Sequence, residues 1–124
     1  MAFMFDKRRV LDRCDQIVES IDLIMQWSKP ILSPDDFLLS PEHVLIFDGC
    51  VMRLQIIGEN IKKIDECTNG EFFSEIPWRK VIALRNIISH EYANVDEEII
   101  FAVIRQSLPP LRTVVLKISN MLQI

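Results

Sequence analysis

Between Ser40-Pro41 and Asn69-Gly70 the chain offers Phe47, Cys50, Val51, Leu54, Ile57, Ile61 and Ile64 at steps of three and four. A capping serine ahead of a proline suits a helix start, and an Asn-Gly pair suits its stop. The spacing therefore predicts one long amphipathic helix from Pro41 to about Cys67. Such a rod must bury its apolar stripe against partners of similar length. Gly58 lies inside it at a cost of about 1 kcal/mol relative to alanine, which a close helix contact would explain. Glu59 follows it, either as a solvated acid or as the partner of a cation on another helix.

The partners are legible. From Asp6 to about Trp27, the positions Val10, Cys14, Ile17, Ile21 and Ile24 form a second stripe, widened by Leu11, Val18 and Met25. Lys29-Pro30 ends that helix, because the residue before a proline is driven out of the α region. Ser33-Pro34 then places another capping hydroxyl ahead of a short turn through Asp35, Asp36 and Phe37. Ser74 and Pro77 precede a third apolar run, Trp78, Val81, Ile82, Leu84 and Ile88, which carries Arg85 and ends between His90 and Asn94. Asp96 suits the cap of a last segment whose first turn, Glu97 and Glu98, is acidic as the helix dipole favours. That segment bears Ile99, Ile100, Val103, Ile104, Leu108, Leu111, Val115, Ile118 and Leu122, and Pro109-Pro110 makes it a kinked helix or two helices that meet there.

The expected fold is all-α: an antiparallel four-helix bundle with a short accessory helix and a proline-kinked last helix, one domain over residues 1–124. The length is near the mode for one domain, and three glycines suit long regular elements better than hairpins. Cys14, Cys50 and Cys67 are odd in number and lack C-x-x-C spacing, so they are expected to pack as small hydrophobes. No secretory leader pattern is present, and no unbroken apolar run approaches a membrane span. A cytoplasmic protein without a membrane partner is the expectation.

A net charge of −4 argues against a generic nucleic-acid coat while leaving room for a local site. Lys7, Arg8, Arg9 and Arg13 form a basic cluster, for which a solvated helix face is expected. The chemistry concentrates instead around Arg85, His90 and Tyr92, the chain's one tyrosine. A strong cation, an imidazole that titrates near neutral pH and a phenol are the parts of a phosphate-handling site. Were helical geometry to persist, Arg85, Ser89 and Tyr92 would share a face and His90 would be offset by about 140°. One subunit would then point its arginine and histidine in different directions. No carboxylate cluster beside the motif offers a magnesium site, and His43 has no matching constellation and is treated as structural or solvated.

These residues resemble the HEPN nucleases and, within them, the HepT-like toxins of prokaryotic toxin-antitoxin pairs. The R-x-x-x-x-H-x-Y of that family reads here as Arg85, His90 and Tyr92, with Asn86 also in its usual place. Further matches are Ile56-Ile57-Gly58-Glu59, Pro77-Trp78, Val95-Asp96 and Leu108-Pro109, so the likeness covers nearly the whole chain. Ala83-Leu84 departs from a common Gly-Met and changes packing volume only.

The resemblance implies a homodimer whose two motifs face a shared cleft, cleaving RNA without a metal or other cofactor. Arg85 and His90 would be catalytic, with Asn86 and Glu59 in support. It also implies a type VII toxin-antitoxin partnership, in which an MntA-like minimal nucleotidyltransferase antitoxin transfers adenylate from ATP to Tyr92. The residue chemistry agrees with a dimer: cleavage needs a base for the 2′-hydroxyl and an acid for the 5′-oxygen, and one subunit supplies one motif histidine. The alternative is a non-catalytic HEPN-type bundle that binds a nucleotide or a partner in the same cleft, although such a module has little need for the imidazole.

Overall fold

The computed structural model describes residues 5–70, 72 and 96–123. The predicted third helix and the motif residues Arg85, Asn86, His90 and Tyr92 lie outside the described residues. Among those described, every regular element is helical.

Helix α1 spans Lys7–Trp27, and the Asp6 carboxylate caps it by accepting from the Arg8 and Arg9 backbone N–H groups at 3.0 and 3.3 Å. Helix α2 spans Pro41–Cys67, with the Ser40 hydroxyl accepting from the His43 N–H at 3.1 Å and proline in the first turn. Past its end Asn69 has φ 54° and Gly70 has φ 77°, and the Gly70 N–H donates to the Asp65 carbonyl at 2.9 Å. This left-handed closure satisfies carbonyls that the last turn would otherwise leave unpaired, and it is the stop that Asn69-Gly70 predicts.

Ser33 differs from expectation. Its hydroxyl does not cap the 3-10 turn Pro34–Leu38; it points to Asp36 Oδ1 at 3.3 Å, while the Leu32 N–H donates to Asp36 Oδ2 at 2.8 Å. The Asp36 carboxylate is the stronger acceptor and organises the turn. His43 Nδ1 donates to the Asp36 carbonyl at 2.6 Å, tying the turn to α2 in the structural role expected of it.

The last segment is one rod, Glu97–Leu122, called α3. It comprises an α-helical start Glu97–Ala102, a π turn Val103–Ser107 and an α-helical run Leu108–Leu122. The Leu108 N–H reaches back five residues to the Val103 carbonyl. Pro109 and Pro110 cannot donate, and the widened turn before them absorbs the register change that two missing N–H groups require. By length and composition this rod, with a mean hydropathy of 1.4, is long and apolar enough to cross a membrane. That differs from a reading based on unbroken apolar runs, because an average over 18 residues tolerates up to two charged side chains. A bundle's core helix meets the same criterion, and Ile100, Ile104, Leu108, Leu111, Val115, Ile118 and Leu122 do join the common core.

α1 is the central rod. Contacts pairing Arg13 with Asn60 and Arg53 with Ser20 run α2 antiparallel to it. Arg112 on α3 grips Asp22 on α1 through two bonds of 2.8 and 3.3 Å, and Arg105 donates to the Ile31 carbonyl at 2.9 Å, so α3 is antiparallel to α1 as well. Among the described residues, the predicted stripes are buried or half-buried with two exceptions, Met25 at 40% and Ile99 at 46% exposure. Both sit where an apolar stripe meets solvent, and one-residue errors at the rim of a face are inherent in a 3.6-residue period.

The cysteines also divide. Cys14 and Cys50 are buried, and burial pushes their thiols up to about 11 and about 12, with Asp15 adding to the effect at Cys14. Cys67, expected to pack inside, is exposed in the last turn of α2.

Candidate functional site

The described flanks of the motif-bearing stretch lie at opposite ends of the bundle. Phe72 meets Phe5, just ahead of α1, in an edge-to-face contact with centroids 6.0 Å apart. Asp96, whose carboxylate accepts from the Glu98 N–H at 2.8 Å, opens α3 beside the 3-10 turn that follows α1. Arg85, Asn86, His90 and Tyr92 themselves are outside the described residues, so of the proposed site residues only Glu59 has a described position.

Glu59 is half-buried on α2, and its Oε1 lies 3.8 Å from Lys63 Nζ one turn later. It lines an open hollow of about 460 Å³ between α1 and α2, together with Arg13, Gln16, Asn60 and Lys63. On α2 the lining follows the helical period: Met52, Gln55, Ile56, Glu59 and Lys63 recur at steps of three and four, beside the buried Leu54, Ile57 and Ile61.

Asn60 is the keystone of this hollow. It is 3% exposed although polar, and both ends of its amide are used. Its Oδ1 accepts from Arg13 Nη1 at 3.1 Å. Its Nδ2 donates to Gln16 Oε1 at 3.2 Å and to the Ile56 carbonyl at 3.0 Å. A buried amide without partners would cost about 1–3 kcal/mol; here the cost is offset by a network that also fixes the Arg13 guanidinium. Arg13 is half-buried, whereas Lys7, Arg8 and Arg9 are exposed. The solvated face expected of the basic cluster therefore holds for three residues and fails for Arg13.

Sequence reasoning missed Asn60 and Arg13. The available signal was a polar side chain at a core register: Asn60 lies three residues after Ile57 and four before Ile64. Among the described residues, no group of three or more His, Cys, Asp or Glu side chains could hold a metal ion. The polar lining of this hollow combines the cations Arg13 and Lys63 and the amides Gln16, Gln55 and Asn60, groups that bind and orient oxyanions, with one carboxylate, Glu59.

Comparison with known proteins places this geometry in context. The model of a family described as "Ribonuclease HepT-like" matches residues 17–118. A Methanocaldococcus jannaschii protein named as a gamma-glutamylcyclotransferase and candidate RNase is 32% identical over 106 residues, 86% of this chain and 46% of that protein, so the chain spans about half its length. A probable ribonuclease HepT of Thermococcus cleftensis is 29% identical over 106 residues, covering 86% of this chain and 92% of the relative. A second Methanocaldococcus jannaschii protein, named as a candidate RNase, is 27% identical over 114 residues, 90% of this chain and 88% of the relative. No solved structure matches the chain.

Proposed function

The chain belongs to the HepT-like ribonuclease family of HEPN proteins, and we propose that it is a homodimeric, metal-independent endoribonuclease, the toxin of a type VII toxin-antitoxin pair, acting in the cytoplasm. One observation carries the reading: the family match spans residues 17–118, a span that includes Arg85, Asn86, His90 and Tyr92.

The reaction follows from the residue types. The 2′-oxygen of the RNA attacks the adjacent phosphorus, the bond from phosphorus to the 5′-oxygen breaks, and a 2′,3′-cyclic phosphate forms. One His90 takes the 2′-hydroxyl proton and the other protonates the leaving 5′-oxygen; an unperturbed imidazole with a pKa near 6.5 is suited to both roles. Arg85 neutralises charge that grows on the phosphoryl oxygens, through its planar fork of donors. Two histidines require two subunits, since each chain supplies one in the motif. Residues 1–124 then act as one domain, with no resident cofactor.

Regulation is proposed to act at Tyr92. A partner nucleotidyltransferase of the MntA-like minimal type attaches AMP there: the Tyr92 oxygen bonds to the α-phosphorus of ATP and pyrophosphate leaves. The support is the position of Tyr92 two residues after His90 and the family match around it.

The test is incubation of single-stranded RNA with purified protein that sediments at about twice the 14.5 kDa chain mass. Cleavage is expected to proceed in excess EDTA. Absence of cleavage with and without Mg²⁺ would favour a binding module instead.

A further inference from the structure

The α1–α2 hollow has Arg13 and Lys63 in its lining. Arg9 and Arg13 stand one turn apart on α1, about 6 Å between Cβ atoms. Arg9, Asp12, Arg13 and Gln16 line a second hollow of about 200 Å³, which shares Arg13 and Gln16 with the larger one. Lys63 stands on the α2 side, so three cations follow one continuous surface strip. The strip also carries acids: Glu59 lies 3.8 Å from Lys63, Asp6 lies 3.7 Å from Arg9 and Asp12 is exposed, whereas the described partner of Arg13 is the neutral amide of Asn60.

Arg13 differs from an ordinary surface arginine in its preparation. One guanidinium nitrogen is spent on Asn60, whose own amide is locked by Gln16 and Ile56, and the other donors of its fork remain for a ligand at the rim of the hollow. Fixing the side chain in advance removes part of the rotamer entropy that a ligand would otherwise have to overcome. A planar fork of donors matches phosphate geometry. The strip also occupies the half of the bundle where Phe72 contacts Phe5, the side from which the chain enters the motif-bearing stretch.

We propose that Arg13, held by Asn60 and flanked by Arg9 and Lys63, is a phosphodiester-binding subsite that holds single-stranded RNA along the α1–α2 groove, in addition to the motif residues. The inference rests on the ribonuclease reading for its ligand, and the experiment separates the two. A fluorescent single-stranded RNA carrying 2′-O-methyl groups cannot supply the attacking hydroxyl, so its binding is read without cleavage. Its affinity for the wild-type protein and for Arg13→Gln is measured by anisotropy across a salt series, with the thermal midpoint of each protein as a check on folding.

Removing one phosphate contact is expected to flatten the logarithmic salt dependence by about 0.7 and to weaken low-salt binding about tenfold, the size of one charge-assisted hydrogen bond. Arg112→Gln removes the same charge from the α3–α1 ion pair and is expected to leave the slope unchanged. Lys63→Gln, on the exposed rim, is expected to act like Arg13→Gln and decides the matter should the latter fail to fold. Equal slopes for the wild-type, Arg13→Gln and Lys63→Gln proteins overturn the proposal, as does an equal loss in Arg112→Gln. A protein that cleaves ordinary RNA with an Arg13-independent slope loses the subsite alone. One that never cleaves but binds with an Arg13-dependent slope loses the nuclease reading alone.

Discussion

Replacing His90 by alanine is expected to lower the rate of RNA cleavage by about a hundredfold or more, and replacing Arg85 by alanine to do the same. The two losses have different causes. Alanine at position 90 removes both the proton acceptor for the 2′-hydroxyl and the donor to the 5′-oxygen, and general acid–base groups typically contribute about 10²–10⁴-fold. Alanine at position 85 removes charge stabilisation that grows only as the phosphorus passes through its transition state, typically worth about 10²–10³-fold. Because both act on the chemical step, kcat should fall while binding of uncleavable RNA changes much less. Rates of RNA cleavage by the two variants, compared with that uncleavable binding, check this. Full activity in both variants would remove the motif from the mechanism.

Adenylylation of Tyr92 is expected to be the larger effect still, nearly complete inhibition. Each attached AMP brings a phosphodiester anion and a base two residues from His90, where it competes with the scissile phosphate for Arg85 and obstructs the imidazole. Co-expression with an MntA-like nucleotidyltransferase should add about 329 Da per adenylate to the peptide containing Tyr92, as mass spectrometry reads covalent modification. The addition should vanish in Tyr92→Phe. A fully neutralised protein with unmodified Tyr92 would point to neutralisation by binding alone.

What the sequence disclosed and what it withheld have physical reasons. The α1 and α2 rods were legible because their apolar stripes persist over many turns, and the ends of α2 carry unambiguous signals: Ser40-Pro41 and Asn69-Gly70 act as predicted. Ser33 misled because capping depends on which acceptor wins, and Asp36 three residues later is the better one. The π turn before Pro109-Pro110 was hidden since two prolines are compatible with a break, a kink or a widened turn, and no local pattern distinguishes them. Cys67 follows the helical pattern but stands in a final turn with less core to cover it.

The site was legible in a different way. Arg85, His90 and Tyr92 were nominated by spacing and resemblance, which propose chemistry without placing it, and they lie outside the described residues. Arg13 and Asn60 carry no motif; they became visible through a contact across 47 residues of chain, which no local pattern encodes. Glu59 was left open between a solvated acid and the partner of a cation on another helix, and the ion pair described for it is with Lys63 on its own helix.

The central claim is that the RNA's own hydroxyl is the nucleophile and that imidazole and guanidinium groups, without a metal, carry the reaction. The ends of the cleaved RNA test it most directly. Mass spectrometry of fragments made in excess EDTA should show 2′,3′-cyclic phosphate, or its hydrolysed product, opposite a 5′-hydroxyl. Fragments with a 3′-hydroxyl opposite a 5′-phosphate, formed only when Mg²⁺ is restored, would contradict the account.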